Sequence, residues 1–375
     1  MLVTTSFVSF MLLKSKANKS TIKYTAKSDD ESSSNLNSNE EDETIKTNTN
    51  MESSQDKVDD IKNTDSISLM VLGEIMMGGK VTKNLDYNYL LAFKDVYDTT
   101  KKADFTYANL ATNITNLEKI EDAKSDYLVN KNILSAFNAL GIDALSIAND
   151  HITDFPSDII KNTENLLDKN SIFVAGKKDM PVYFEKNGKK IAVVSTNSVI
   201  IGTKSNYDKN NISIYDEDNI KKNINEAKKM ADFVIVDIHW GKGEATFGVS
   251  EQMKDMAKFV IDNGADLVMG THAIGIQPIE LYNGKPIIYT TGYFMTDLEY
   301  ETTKLSYMFN LTFNNETKLA SIEMIPIYIK DTQETLLYKN FDEVAANINM
   351  KSLNSRNIQN GVNSEMFDGK IVIKF

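Results

Sequence analysis

The chain has 375 residues, a formal net charge of −12, no cysteine and three histidines. Without cysteine there is no disulfide framework, thiolate metal site, cysteine nucleophile or cysteine-linked lipid anchor. The acidity is relieved by no basic stripe, which excludes nucleic-acid binding and means that a polyanionic ligand would need a metal or a local basic pocket.

Residues 1–13, MLVTTSFVSFMLL, are apolar, and Lys14 and Lys16 follow directly. The run is shorter than the about 20 residues of a bilayer span and lacks the positive start of a signal peptide. Two readings stay open for residues 1–16: an unstructured terminus, or a secretion signal or membrane anchor with the lysines as its cytoplasmic flank. Residues 17–66 form a polar, acidic linker. From Lys19 to Ser66 twelve acidic residues face six lysines, which accounts for half of the net charge. Such a segment buries too little apolar area to offset chain entropy and reads as a disordered tether.

The folded region begins at Ile67. SISLMVLGEIMMGG reads as a strand running into a glycine-rich turn with Glu74 at its tip; Gly73, Gly78 and Gly79 allow tight backbone turns. ADFTYANLATNIT repeats the pattern, an apolar segment and then Asn109, Thr112 and Asn113. Ile133, Leu134, Phe137 and Leu140 share one helical face, with Gly141 as C-cap. IDALSIA is a strand whose following loop carries Asn149, Asp150, His151 and Asp154. A helix over 157–169 and the strand SIFVAG come next, then two strands joined across Asn187–Gly188, a hairpin signal. A polar loop over 200–217 and a helix over 218–230 lead to a buried strand ending in His239. A helix with Met253, Met256, Ala257, Val260 and Ile261 on one face precedes a second buried strand ending at His272, and further strands close on Gly292. Beyond Phe294 the alternation is that of antiparallel strands; residues 333–375 have weaker periodicity, with a helix around Phe341–Ile348 and a terminal strand. Helix and strand alternate in the middle while hairpins are inserted and appended, which predicts a layered α/β domain.

Glu74, Asn109, Asp150, His151, His239 and His272 all follow predicted strands, where an open α/β sheet gathers its ligands. Carboxylates, amide oxygens and neutral imidazoles from several loops are the donors of a catalytic metal site. Each residue also has a plain structural reading as a cap, turn or loop hydrogen-bonder. Trp240 either packs beneath its loop or floors the cleft.

These residues stand in an order that closely resembles the bacterial capsule synthesis proteins of the CapA/PgsA type, over about Ile67–Ile327. The family's Gly-Asp motif falls on Gly73–Glu74 and its Asn-Leu-Glu on Asn109–Leu110–Ala111. Ala-Asn-Asn-His matches Ala148–Asn149–Asp150–His151, with Asp154 beyond it. His-Trp-Gly is intact at His239–Trp240–Gly241, and Glu244 matches the acidic residue that usually follows. Gly-Ala-Asp-Leu-Val is intact at 264–268, and Gln277–Pro278–Ile279–Glu280 is retained. The departures are Glu74 for Asp, Ala111 for Glu, Asp150 for Asn, Tyr293 for Asn, and Thr271 and Ile274 for two of the three imidazoles of Gly-His-His-Pro-His.

The resemblance implies an α/β/β/α sandwich of the calcineurin-like metallophosphoesterase type over 67–330, with a C-terminal extension, 331–375, packed on it. With these departures the family's two-metal centre is impaired, and the resemblance implies a divergent site, catalytic or not, that holds one divalent metal (Mn, Zn, Fe or Ca) on some of Glu74, Asp150, His239 and His272, with His151 and Asp150 as the catalytic pair if it is active. Asn109, Asn149, Trp240 and Thr271 are the implied substrate contacts. The functional expectation is synthesis, export or anchoring of poly-gamma-glutamate or a related anionic polymer. It places the protein with membrane-bound synthesis and export partners at the outer face of the membrane, anchored by the N-terminus or secreted. Two alternatives remain: a metal-dependent hydrolase of a phosphoester or of the polymer amide, and a non-catalytic assembly protein using the same cleft.

Overall fold

The computed structural model describes residues 12–14, 66–120, 126–242 and 248–375. The expected anchor and tether, apart from Leu12–Lys14 and Ser66, lie outside the described residues, as does Glu244.

Two sheets carry the chain. The ten-stranded sheet has Ile67–Ile75, Phe105–Leu110, Ala144–Ser146 and Phe173–Ala175 side by side and parallel. On the other side of Ile67–Ile75 it continues antiparallel through Leu305–Phe313, Leu319–Lys330, Lys370–Lys374 and Ser364–Phe367. In the seven-stranded sheet Lys189–Asn197, Phe233–His239, Leu267–Thr271 and Lys285–Ile288 run parallel. Val182–Lys186 pairs antiparallel with Lys189–Asn197 across the predicted hairpin, whose Asn187 and Gly188 both have positive φ. Leu12–Lys14 pairs parallel with Val182–Lys186 at the edge.

Side chains alternate along a strand, and here the two faces feed different cores. Ile67, Leu69 and Val71 point between the sheets, where they meet Ile191, Val193, Phe233, Ile235, Leu267 and Met269 of the other sheet. Met70 and Leu72 point outward to Ile133, Phe137 and Leu140 of the helix Ile133–Leu140. On the second sheet Val234, Val236 and Ile238 point outward to Ile220 and Ile224 of Glu217–Met230 and to Met253, Ala257 and Val260 of Glu251–Asp262. The order of layers is therefore helix, sheet, sheet, helix, as the resemblance implies.

The last 45 residues are more than an attached extension. Tyr338–Gln359 is two helical segments that meet at Asp342, whose extended backbone interrupts the helix and whose carboxylate accepts the Ala345 N–H at 2.9 Å. Met350 and Leu353 from the second segment, with Ile371 and Ile373 from the terminal strand, complete the core between the sheets. The 200–217 loop contains a helix, Lys204–Lys209, whose Tyr207 is buried and donates its hydroxyl to the Asp150 carbonyl at 3.2 Å.

Candidate metal centre

The parallel strands of both sheets end on the same edge, and five of the predicted residues meet there. His239 is the last residue of its strand, and His272 is the first beyond Leu267–Thr271. Asp150 and His151 lie on the loop after Ala144–Ser146, and Glu74 is near the end of Ile67–Ile75.

Glu74 reaches the site through an irregularity. Strict alternation would send it outward with Met70 and Leu72. Instead the register of Ile67–Ile75 against Phe105–Leu110 shifts between Val71 and Glu74, and Gly73 takes φ +83. A bulge of this kind reverses which residues face inward, so Ile75 rejoins the outer core and Glu74 turns between the sheets. Only glycine fits: a Cβ there would lie 2.6 Å from the Gly292 carbonyl oxygen and 2.8 Å from that of Thr291.

Asp150, His239 and His272 each offer one ligand atom, and these three atoms lie within 4.8 Å of one another. His239 Nε2 is 3.0 Å from Asp150 Oδ1, while His272 Nδ1 and His151 Nε2 lie 3.7 and 3.6 Å from Asp150 Oδ2. The two latter gaps are wider than hydrogen bonds. Glu74 Oε2 accepts the backbone N–H of His272 at 3.2 Å. That amide is presented because His272 adopts φ +75, a left-handed conformation costing on the order of 1 kcal/mol for a non-glycine residue. Two imidazoles and one or two carboxylates form a donor set suited to a single borderline or hard divalent ion. Among the described residues these donors form one set; Ala111 and Ile274, where the family has Glu and His, are buried in the helix-side core and offer no ligand atom.

Electrostatics separate the groups. Burial alone would raise Asp150, but the hydrogen bond and charge of His239, then His151 and His272, hold its carboxyl below the usual carboxylate range. Burial pushes Glu74 up, against the opposing pull of His239. Burial, reinforced by His239, lowers His272 to about 4, so its ring is neutral and able to ligate at pH 7. Burial works against protonation of His151 too, yet the hydrogen bond it donates to Asp154 and the charges of Asp150 and Asp154 raise it overall. His151 Nδ1 is 2.9 Å from Asp154 Oδ2, and its ring stacks on Tyr127 at 3.6 Å between centroids. The side chains of His151 and His272 are 17% and 13% exposed, whereas His239 is sealed, so an incoming ligand meets the first two.

The four expected substrate contacts are all buried, and each bonds within the protein. Trp240 does not floor the cleft: it is fully buried in the helix-side core and its indole N–H donates to the Tyr289 carbonyl at 2.9 Å. The physical reason is strand alternation, which sends the residue after His239 to the opposite face. Thr271 is buried with its hydroxyl 2.9 Å from His239 Nδ1, where it orients the imidazole. Asn149 is fully buried; its amide donates to Asn109 Oδ1 and the Leu110 carbonyl and accepts the His151 N–H, which shapes the loop. Asn109 is also buried, and its Nδ2 has no partner among the described residues. Tyr293 lies in register with Glu74, and burial followed by the Glu74 charge pushes its hydroxyl well up. The stacking of Tyr127 on His151 carries no sequence signal, because the two are joined only through the tertiary fold.

The chain is similar to several known proteins. The profile described as bacterial capsule synthesis protein PGA_cap matches residues 68–298. The capsule biosynthesis protein CapA of Bacillus anthracis is 25% identical over 290 residues, 72% of this chain and 69% of that protein. The PGA biosynthesis protein CapA of Bacillus subtilis (strain 168) is 27% identical over 256 residues, 64% of this chain and 66% of that protein. Among solved structures, a putative 5'-nucleotidase from Staphylococcus aureus is similar with a TM-score of 0.44 and 13% identity, covering 72% of this chain and 54% of that one. With its family motifs set at the ends of the parallel strands, the chain belongs to the bacterial capsule synthesis protein family PGA_cap.

Proposed function

We propose that the protein takes part in synthesis, export or anchoring of poly-gamma-glutamate or a related anionic capsule polymer. It works at the outer face of the cell membrane, held by its N-terminus beside membrane-bound synthesis and export proteins. Family membership and the capsule role named for its Bacillus relatives support this reading. The observation that carries it to chemistry is the convergence of Asp150, His239 and His272. The chain's charge of −12 repels a polyanion, and a bound divalent ion would supply the local positive charge and Lewis acidity that a carboxylate-bearing polymer needs. Asp150, His239 and His272 would hold it, with Glu74 adjoining. Thr271 keeps the His239 ring in line, and His151, braced by Asp154 and Tyr127, presents its imidazole edge to a ligand oxygen. The test is binding of poly-gamma-glutamate by the full chain with Mn, Zn, Fe or Ca supplied, and then with chelator. Polymer binding that ignores the metal, or no stoichiometric metal under any loading condition, would refute the bridging role. An unchanged amount and length of envelope polymer after gene deletion would refute the capsule role.

One observation favours hydrolysis as a second reading: His151 is partly exposed, beside Asp150, and its proton affinity is raised, as a general acid requires. Release of short chains from the polymer, or of phosphate from a phosphoester, lost in His151→Gln with metal binding intact, would establish it.

A further inference from the structure

Among the apolar residues of the core between the two sheets runs a row of four polar side chains. Asp237 Oδ2 accepts hydrogen bonds from the Tyr107 hydroxyl and, at 3.0 Å, from Ser195 Oγ. Ser195 Oγ is 2.6 Å from Ser146 Oγ, which in turn accepts the backbone N–H of Ala148 at 3.2 Å. Since Ser195 donates its only proton to Asp237, Ser146 must donate to Ser195. The bonds thus run in one direction from Ala148 through Ser146 and Ser195 to Asp237. All four side chains are buried, between 0% and 5% exposed.

The members come from both sheets, and Tyr107, Ser146 and Asp237 each lie just before a candidate site residue. Tyr107 is two residues before Asn109 and Ser146 four before Asp150, both on the ten-stranded sheet. Asp237 is two residues before His239 and Ser195 two before Asn197, both on the seven-stranded sheet. Apolar faces such as those of Leu69 and Ile235 tolerate small sliding with little loss, whereas hydrogen bonds weaken steeply with distance and angle. The site depends on this offset, because Asp150 is carried by one sheet and His239 by the other, 3.0 Å away.

We propose that Tyr107, Ser146, Ser195 and Asp237 form a polar latch that sets the relative position of the two sheets and thereby holds His239 against Asp150. These are positioning residues, in contact with neither ligand nor metal. Asp237 Oδ1 finds no partner among the described residues, so the row is less satisfied than an all-apolar layer would be. It therefore serves geometry better than stability.

The test uses the full chain and two readouts. With three histidines in the sequence, the imidazole ring-proton NMR spectrum resolves each ring without metal; visible absorption of Co2+ reports affinity at the site. Tyr107→Phe and Asp237→Leu should move the His239 and His272 signals and weaken Co2+ about tenfold, while Asp237→Asn, which keeps an acceptor oxygen, should restore both. Leu311→Ala, in the same inter-sheet core, should lower the melting temperature at least as much and move neither readout. The latch is overturned if Tyr107→Phe leaves both readouts at wild type, or if Leu311→Ala moves them equally. The metal arm rests on the proposed metal site. If wild-type protein takes up no Co2+, that reading fails while the histidine spectrum still decides the latch.

Discussion

The two halves of the site are built in opposite ways. On the seven-stranded sheet the imidazoles sit on regular strand ends, His239 as the final residue and His272 one position further. On the ten-stranded sheet the carboxylates depend on broken regularity: a bulge at Gly73 turns Glu74 inward, and a loop pinned by Asn149 and Tyr207 presents Asp150. Ligands on strand ends inherit their position from the sheet. Ligands on irregular backbone need supporting groups of their own, and these are the sensitive points.

The strongest way to break this contrast is Gly73→Ala. The added methyl group meets two carbonyl oxygens at a positive φ, so unfolding free energy in denaturant should fall by on the order of 3 kcal/mol, and metal uptake should fall with it. Next comes Asp150→Ala, which removes the group that His239 contacts at 3.0 Å. Isothermal titration of divalent metal should show a loss of about 100-fold or more, above the range for orienting partners. Thr271→Val removes only the brace on His239 Nδ1 and should cost about 10- to 100-fold in the same titration. The paired control, Trp240→Phe, loses a hydrogen bond to Tyr289 in the helix-side core; it should lower stability by about 1 kcal/mol and leave metal affinity where it was. Equal losses in the two variants would contradict the assignment of Trp240 to packing.

Acid sharpens the contrast further. In the folded protein burial keeps His272 from protonating until about pH 4, whereas unfolded it takes up a proton near its ordinary 6.5. Between those values the unfolded state binds more protons, so His272 makes metal-free protein less stable as pH falls through this window. Asp150, held low, retains its contribution there and loses it only at more acid pH. Thermal melts of His272→Asn should therefore fall less steeply than wild type between pH 6.5 and 4. The smallest effect expected is that of Tyr127→Leu, which removes the stack on His151; a loss of about 0.5 kcal/mol in stability, with metal affinity unchanged, would fit a bracing role.

Much of the imidazole half was legible in the sequence. Apolar runs ending in His239 and His272 are strands whose ends are defined by composition, and the helix Glu251–Asp262 between them follows from five apolar residues on one face. The hairpin at Asn187–Gly188 and the cap at Gly141 were legible for the same reason: local backbone preference decides them. Trp240 was not, because a strand-end residue reads alike whether it faces the cleft or the helices, and only the pairing of sheets chooses. Nor was the role of Thr271 or Tyr127, each meaningful only through a partner distant in the chain. The sequence by itself determined which segments are strands and which side chains can ligate, since period and donor chemistry are properties of short stretches. The tertiary structure decided that Glu74 turns inward, that Asp150 meets His239 across two sheets, and that Trp240 is buried away from the cleft. Those outcomes depend on a bulge, an inter-sheet offset and burial, which arise only when distant segments pack.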